Sequence, residues 1–257
     1  MSKQAVHDIS KHVLLVVGGS GYVGSNVLQR AVQKGIKVRS LNRSGRPNWT
    51  NTPWLDQVEW IAGDVFKKED IQNAAKGTTG VISTVGAFGS NEFMEKICGD
   101  ANIEAVRAAK EAGTERFVFI SESRVGANIP TWAPLYGYFN GKARAEAAVA
   151  AHFLTTGVSL RPGFVYGTRR IPISGSDYFL PLQLFGAPMS FVARQLGPAS
   201  AVISKLPIVG GELMAACPVD ALAKAAVLSA ISSVHGTVLD TTNIIELGNS
   251  FHETIRS

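Results

Sequence analysis

His12-Val-Leu-Leu-Val-Val-Gly-Gly-Ser-Gly-Tyr-Val-Gly24 is the stretch that decides the fold, because an apolar run meets glycines at three-residue spacing. The run at 13–17 predicts a strand buried on both faces, followed by the start of a helix. Gly18 and Gly21 let the backbone turn tightly and approach a pyrophosphate, and Gly24 lets helix and strand pack closely. The helix start would direct free N–H groups at the phosphates. The stretch therefore predicts a dinucleotide-binding turn.

The residues after this turn favour that interpretation over an ordinary strand-to-helix turn, which also needs glycine. A helical apolar stripe follows, made of Val23, Val27, Leu28, Ala31 and Val32. Gly35 ends the helix and residues 36–41 form a second apolar strand, which completes a βαβ unit. The residues of the turn predicted to bind the cofactor are Gly18, Ser20, Gly21, Tyr22, Val23 and Gly24.

The composition and the regular recurrence of apolar segments indicate one α/β domain over residues 1–257. A chain of 257 residues with 46% hydrophobic and 18% charged residues is in the range where helices can cover a single parallel sheet. Further strands are predicted at 58–62, 81–85, 117–121 and 158–161, with helices at 91–112 and 140–153. We therefore expect a doubly wound parallel sheet, the Rossmann-type α/β fold.

The sequence changes character after Gly167, where residues 168–217 are rich in proline and poor in acidic residues. We expect this segment to form a small C-terminal cap on the substrate side. Its apolar stretch at 178–196 would line an apolar pocket, lie on a bilayer surface or dock on another protein, and packing on the sheet itself is the alternative. A helix at 218–232 and a final strand at 237–247 are predicted to follow.

Charge, cysteine content and apolar runs exclude several classes of protein. The net charge of +5 arises from 25 basic residues scattered among 20 acidic ones, which is unlike a nucleic-acid-binding protein. Cys98 and Cys217 fit neither a disulfide framework nor a zinc site, so reduced core thiols and no metal are expected. Because the sequence shows no long apolar run and no hydrophobic leader, we expect neither a membrane span nor a secretory signal. Whether a longer precursor has been trimmed stays open.

The end of the second strand bears on the choice between NAD and NADP. NAD sites place a carboxylate about twenty residues after the glycines, to bind the ribose hydroxyls. Here Asn42 takes that position and Arg43 follows it. A 2′-phosphate would meet a planar cation instead of a repelling carboxylate, which favours NADP(H). The alternative is that Arg43 and Arg46 are merely solvated loop residues.

Tyr138 and Lys142 are the residues predicted to carry out chemistry. Their spacing of four puts both side chains on one helical face, and a lysine ammonium beside an oxidised nicotinamide favours the phenolate, so that Tyr138 can pass a proton. Lys142 would also hold the nicotinamide ribose. Alone, such a pair is usually an ordinary surface pair, but it follows the fifth strand of a dinucleotide-binding pattern. Ser123, or else Ser121, is predicted to polarise a carbonyl, unless the two serines only form a strand-end turn.

Together these residues resemble the short-chain dehydrogenase/reductase superfamily, in its extended and atypical branch. The resemblance rests on motifs that occur in the family's order at 18–24, 63–65, 81–86, 102, 117–121, 138–142, 161–167 and 218–220. It implies cofactor contacts, from the adenine to the nicotinamide end, by Asp64, Val65, Thr84, Val85, Gly86, Lys142, Pro162 and Gly163. From the residues alone, Asp64 is better explained as the cap of a helix that begins near Lys67.

Within that branch, residues 42–45, 58–66, 137–142 and 160–164 look most like mitochondrial members linked to coenzyme Q biosynthesis, whose relatives include the NADPH-binding accessory subunit of respiratory complex I. This resemblance implies a mitochondrial protein, with plastid or cytoplasm as alternatives, and a membrane-associated respiratory or quinone-biosynthetic complex as partner. Extended members usually carry serine or threonine where Glu122 stands. Two functions stay open: an NADP(H)-dependent oxidoreductase acting on a carbonyl or quinone-type apolar substrate, and a non-catalytic NADPH-holding assembly or accessory subunit.

Overall fold

The computed structural model describes residues 9–50, 52–123, 125, 128–173, 176–181, 216–232 and 236–251. In chain order the described strands are β1 (Val13–Val17), β2 (Lys37–Asn42), β3 (Val58–Ala62), β4 (Gly80–Ser83), β5 (Arg116–Ile120), β6 (Gly157–Arg161), β7 (Val165–Tyr166), β8 (Thr168–Ile173), β9 (Ser176–Pro181), β10 (Cys217–Pro218) and β11 (Thr237–Asp240). The described helices are α1 (Tyr22–Gln33), α2 (Lys68–Ala75), α3 (Asn91–Met94), α4 (Ala101–Glu111), α5 (Tyr136–His152), α6 (Val219–Ile231) and α7 (Thr241–Asn249). A π-helical segment, Glu95–Asp100, joins α3 to α4.

Within this part of the chain, seven parallel strands form the central sheet in the order β11-β6-β5-β4-β1-β2-β3. The strand order reverses between β1 and β4. Open α/β sheets bind ligands in the crevice beyond the carboxyl ends of the strands at such a reversal. The doubly wound Rossmann-type sheet predicted from the sequence is therefore confirmed, and the Gly-rich turn after β1 lies at the reversal.

The sheet separates two apolar layers. Leu14 and Val16 of β1 pack on the face covered by α1, α6 and α7, whereas Leu15 and Val17 pack on the opposite face with α2, α4 and α5. Alternation of this kind follows because successive side chains of a strand point to opposite faces. Both layers are apolar, which explains why β1 is an uninterrupted apolar run in the sequence.

The prediction of a strand at 237–247 is wrong after Asp240. The Asp240 carboxylate accepts a hydrogen bond from the Asn243 N–H at 2.9 Å and caps α7, which begins at Thr241. Thr-Thr-Asn-Ile-Ile has β-branched residues typical of strands, but an aspartate cap followed by buried Ile244 and Gly248 at helical spacing decides for a helix. The side chains of 240–243 consequently lie at the carboxyl edge of the sheet.

Two smaller sheets lie outside the central one among the described residues, the parallel pair β7–β10 and the antiparallel pair β8–β9. Most of the expected cap at 168–217, and the apolar stretch at 178–196 after β9, lie outside the described residues. Cys98 and Cys217 are both buried free thiols, as predicted. None of the described helices is long and apolar enough to cross a membrane, and the described residues hold no cluster of ligating side chains for a metal ion.

Candidate functional site

The Gly-rich turn is held by its own backbone. Gly18 has a φ of +86°, and its N–H donates to the Leu41 carbonyl at 2.9 Å, which ties the turn to β2. The Gly21 N–H donates to the Gly18 carbonyl at 3.0 Å. A Cβ atom on Gly24 would lie 2.3 Å from the Gly18 carbonyl oxygen, so the helix can start this close to the strand only because the residue is glycine.

This turn fits a dinucleotide pyrophosphate. The N-cap of α1 is Gly21, which offers no side-chain cap. The first-turn N–H groups of a helix have no carbonyl partner within the helix, and they attract anions through both hydrogen bonds and the helix dipole. The turn leaves the N–H groups at the start of α1 without a side-chain cap, and the backbone packs closely against Gly24. This shape, with its partial positive charge, fits linked phosphates.

The residues after β4 lie against the same turn. Thr84 Oγ1 donates to the carbonyl oxygens of Val17 and Gly18, at 3.0 and 3.2 Å. A Cβ on Gly18 would lie 3.0 Å from Thr84 Oγ1 and 3.5 Å from Val85 Cγ2. The structure thus brings Thr84, Val85 and the Gly-rich turn together at the reversal of the sheet, where the resemblance places the cofactor.

Asn102 fixes the path of the chain after β4. Its side chain is fully buried, and Oδ1 accepts a hydrogen bond from Ser83 Oγ at 2.6 Å. Its Nδ2 donates to the carbonyl oxygens of Val85, Ile97 and Cys98. One amide therefore joins the end of β4 to the π-helical segment, so that the strand end leaves the sheet in a defined direction.

Lys142 is buried, with only 3% of its surface exposed. Its ammonium donates to the Ile120 carbonyl at 2.6 Å and to the Val85 carbonyl at 3.2 Å, and so bridges the ends of β4 and β5. Nζ also lies 4.6 Å from the centre of the Phe119 ring. Burial lowers the pKa of Lys142 to about 8, against the raising effect of Cys98, Glu122 and Glu146.

We predict that the stability of the protein, measured relative to Lys142→Met, rises with pH. Below pH 8 the Lys142 ammonium is charged in both the folded and the unfolded protein. Burying this charge makes the folded protein less stable. As pH rises from about 8 towards 10.5, the folded protein loses this proton before the unfolded chain does. The difference in unfolding free energy between wild type and variant should therefore rise by about 2 kcal/mol between pH 7 and pH 10 in urea titrations. A difference that stays constant would contradict the lowered pKa.

Tyr138 lies one turn before Lys142 on α5, and its ring centre is 5.9 Å from Lys142 Nζ. Phe88, in the loop after β4, stacks on the Tyr138 ring with centres 5.0 Å apart and planes 21° apart. Phe88 is itself 72% exposed. The predicted helix at 140–153 begins earlier, at Tyr136, so the pair lies within regular helix. The half-buried ring of Tyr138 and the exposed ring of Phe88 thus lie beside a buried ammonium.

Ser121 and Ser123 are in different environments. The Ser121 hydroxyl is buried and has no hydrogen-bond partner among the described residues. Ser123 is half-buried; its N–H donates to the Pro162 carbonyl at 3.0 Å, and its hydroxyl lies 2.8 Å from Oε1 of Glu122. Glu122 is itself buried, with 7% of its surface exposed. A carboxylate therefore lies directly beside the serine predicted to polarise a carbonyl.

Beyond β5, the ends of β6 and β11 enclose a cavity of about 350 Å³. Among the described residues its lining consists of Ser123, Arg161, Val238, Asp240, Thr241, Thr242 and Asn243. Tyr138 and Lys142 do not line it. Arg161 forms a two-pronged ion pair with Glu146 of α5, and the Gly163 N–H donates to Thr241 Oγ1 at 2.9 Å. Polar and apolar atoms line the cavity in nearly equal parts, and the segment expected to form an apolar pocket lies outside the described residues.

At the predicted adenine end, the side chains are engaged locally. Asn42 donates through Nδ2 to the Gly45 carbonyl at 2.7 Å and so closes the turn that carries Arg43. Arg43 is exposed, and no described carboxylate pairs with it, whereas Arg46 pairs with Asp56 at 2.5 Å.

The prediction that Asp64 caps a helix is wrong. Its Oδ1 accepts the Phe66 N–H at 3.0 Å, which closes a turn two residues on, and α2 begins only at Lys68 without a side-chain cap. The Asp64 N–H donates to Asp70 Oδ2 at 2.8 Å, which anchors this turn to α2. Asp64 and the half-buried Val65 thus lie directly after β3, at the carboxyl edge of the sheet.

A family model described as NAD(P)H-binding matches residues 18–172, more than half of the chain. The chain belongs to this NAD(P)H-binding family. Binding of a nicotinamide dinucleotide is therefore a property of this protein, and it agrees with the glycine cradle. The match covers every predicted cofactor-binding residue, from Gly18 to Gly163.

Relatives and solved structures agree with the family. An uncharacterized chloroplastic protein of Arabidopsis thaliana is 44% identical over 184 residues, which are 72% of this chain and 60% of that protein. The mitochondrial protein fmp-52 of Neurospora crassa is 28% identical over 162 residues, which are 60% of this chain and 65% of that protein. The chain thus spans less than two thirds of the length of these relatives.

The structure of MoeE5 in complex with UDP-glucose and NAD has a TM-score of 0.59 at 19% identity, and the alignment covers 91% of this chain and 80% of that one. This similarity shows a shared fold. Together with the family match, it confirms the NAD(P)-binding Rossmann fold that the motifs indicated.

The sequence did not reveal three parts of the site. Phe88 is a lone aromatic residue in a loop and belongs to no periodic pattern. The Glu146–Arg161 ion pair joins a helix to a strand end, and Thr241 reaches Gly163 across 78 positions. None of these contacts has a local sequence signal, although the four-residue spacing of Lys142 and Glu146 places both on one helical face.

Proposed function

We propose that this protein is an NADP(H)-dependent oxidoreductase that transfers a hydride between the nicotinamide and a carbonyl or alcohol carbon. The observation that carries this proposal is the buried Lys142 ammonium, which donates to the Ile120 carbonyl at the end of β5 and to the Val85 carbonyl just after β4, with Tyr138 one helical turn away. The bound nicotinamide would supply or accept the hydride. The protein has to hold the cofactor and move one proton.

Tyr138 is the proposed proton donor and acceptor. Its stacking on Phe88 holds the ring at the edge of the crevice, and the Lys142 charge favours the phenolate after the proton has been given up. An ammonium has three N–H donors, and Lys142 uses two on backbone carbonyls. The third is available to a ribose hydroxyl. We propose that Lys142 holds the ribose with this donor.

The preference for NADP(H) rests on Arg43. It is exposed at the end of β2, and no described carboxylate neutralises it, so it can meet a 2′-phosphate. We expect NADPH to bind at least tenfold more tightly than NADH, and Arg43→Ala to remove about tenfold or more of the NADPH affinity while leaving NADH affinity unchanged.

Titration of the purified chain with both nucleotides by calorimetry measures this. Arg46→Ala is the matched control, since Arg46 belongs to the same loop but pairs with Asp56. Equal affinity of the wild-type protein for NADH and NADPH would contradict the role of Arg43.

For the substrate, we propose a carbonyl- or quinone-type molecule with an apolar part, handled in a mitochondrion or plastid. The exposed aromatic side chain of Phe88 beside the proposed proton donor supports an apolar ring as the reacting group. The organelle rests on relatives, one chloroplastic and one mitochondrial.

A further inference from the structure

The cavity beyond β5 offers a recognition site that does not involve the proposed proton donor. We propose that it binds the hydroxyl group of an uncharged alcohol, and that Glu122 is the residue that sets this preference by positioning the proton of Ser123. The proposal concerns binding beside the nucleotide crevice and stands whether or not the protein turns over a substrate.

The first step is the direction of one hydrogen bond. Ser123 Oγ lies 2.8 Å from Glu122 Oε1, and an ionised carboxylate only accepts hydrogen bonds, so the serine hydroxyl donates its single proton to Glu122. Towards the cavity, Ser123 can therefore only accept a hydrogen bond.

The second step is the remaining donor. Arg161 uses Nε and Nη2 on Glu146, at 2.9 Å and 2.5 Å, while its side chain also lines the cavity. A guanidinium has five N–H donors, so some remain for a ligand. A hydroxyl group can donate to Ser123 and accept from Arg161 at the same time. A ketone oxygen can only accept, and against Ser123 it would place two lone pairs face to face.

The third step is charge. Among the described residues, the acidic side chains in and behind the cavity wall are Glu122, Glu146 and Asp240, and the basic ones are Lys142 and Arg161. Arg161 is paired with a carboxylate, and Asp240 faces the cavity with part of its charge used to cap α7. Because no positive charge is left in excess among these groups, the cavity disfavours carboxylate and phosphate ligands. An uncharged alcohol fits this wall better than an anion does.

Saturation-transfer NMR with cyclohexanol, cyclohexanone and cyclohexanecarboxylate, added to the full chain, tests the proposal. We expect the wild-type protein to bind cyclohexanol about fivefold or more tightly than cyclohexanone, and the carboxylate most weakly. In Glu122→Gln the new amide can donate to Ser123, which frees the serine proton for a carbonyl, so the alcohol preference should vanish or reverse. Ser123→Ala should remove the preference as well, and the exposed Glu59→Gln serves as the matched control.

Several results would overturn the proposal: equal binding of alcohol and ketone, a preference for the ketone or the anion, no detectable binding of any probe, or an alcohol preference that Glu122→Gln leaves intact. Thermal unfolding of each variant shows whether it is folded. If Glu122→Gln does not fold, the alcohol preference of the wild type is compared with that of Ser123→Ala, and this comparison tests the proposal. Titration of the same samples with NADPH tests the nucleotide proposal separately. If the cavity prefers the alcohol but the protein does not bind NADPH, only the nucleotide proposal is contradicted.

Discussion

Replacing Gly24 by alanine is expected to abolish nucleotide binding and to lower the free energy of unfolding by about 3 kcal/mol. The added Cβ would lie 2.3 Å from the Gly18 carbonyl oxygen, 2.8 Å from Gly19 Cα and 2.8 Å from Thr84 Oγ1. Two of these three neighbours are backbone atoms of the turn itself, so the clash cannot be relieved by rotating a side chain. The start of α1 has to move away from the turn, and the N–H groups that we propose bind the phosphates move with it.

A matched glycine elsewhere makes the expected loss specific. Gly77 has a φ of +74°, and a Cβ on it would meet no atom within 4 Å. Gly77→Asn should therefore fold and bind NADPH as the wild type does, because asparagine tolerates this backbone conformation and has room for its side chain. Calorimetric NADPH titrations and urea unfolding of both variants measure the two effects. Retained NADPH affinity in Gly24→Ala would show that the nucleotide does not lie on the Gly-rich turn.

The first βαβ unit could be predicted from the sequence because its constraints are local. A buried parallel strand needs an apolar run, the turn needs glycines where the backbone approaches itself, and α1 needs an apolar stripe. All three lie within residues 13–33, and the structure places β1 at Val13–Val17, as predicted.

The parts of the site that escaped prediction depend on individual side-chain contacts, some between neighbouring residues and some between distant ones. After Asp240 the sequence continues with β-branched residues, which are typical of strands. They form α7 because the Asp240 carboxylate accepts a hydrogen bond from the Asn243 N–H and caps the helix. At Ser123, spacing along the strand could not show that Glu122 takes the hydroxyl proton, because this depends on side-chain rotamers. The contact of Phe88 with Tyr138 joins residues 50 positions apart in chain order, and no pattern in the sequence connects them.

Tyr138→Phe is expected to lower turnover by about 10²- to 10⁴-fold while leaving NADPH affinity within about threefold of the wild type. Phenylalanine keeps the ring and therefore the stacking on Phe88, but it removes the only group of this side chain that can exchange a proton. Loss of general acid–base chemistry acts on the rate of the chemical step, whereas the proposed contacts to the nucleotide come from the glycine turn and from Lys142. Stopped-flow oxidation of NADPH with a short-chain ubiquinone and a set of aliphatic and aromatic ketones measures the rate.

Tyr136→Phe is the matched control, because Tyr136 begins the same helix and lies two residues before Tyr138. It should keep both the rate and the affinity. If Tyr138→Phe leaves the rate unchanged, or if the wild-type chain binds NADPH tightly and oxidises it with none of these carbonyl compounds, the nucleotide serves as a held structural part. The Tyr138 hydroxyl therefore distinguishes the two functions, oxidoreductase and NADPH-holding protein. A protein that only holds NADPH needs the ring of Tyr138 for packing but does not need its hydroxyl.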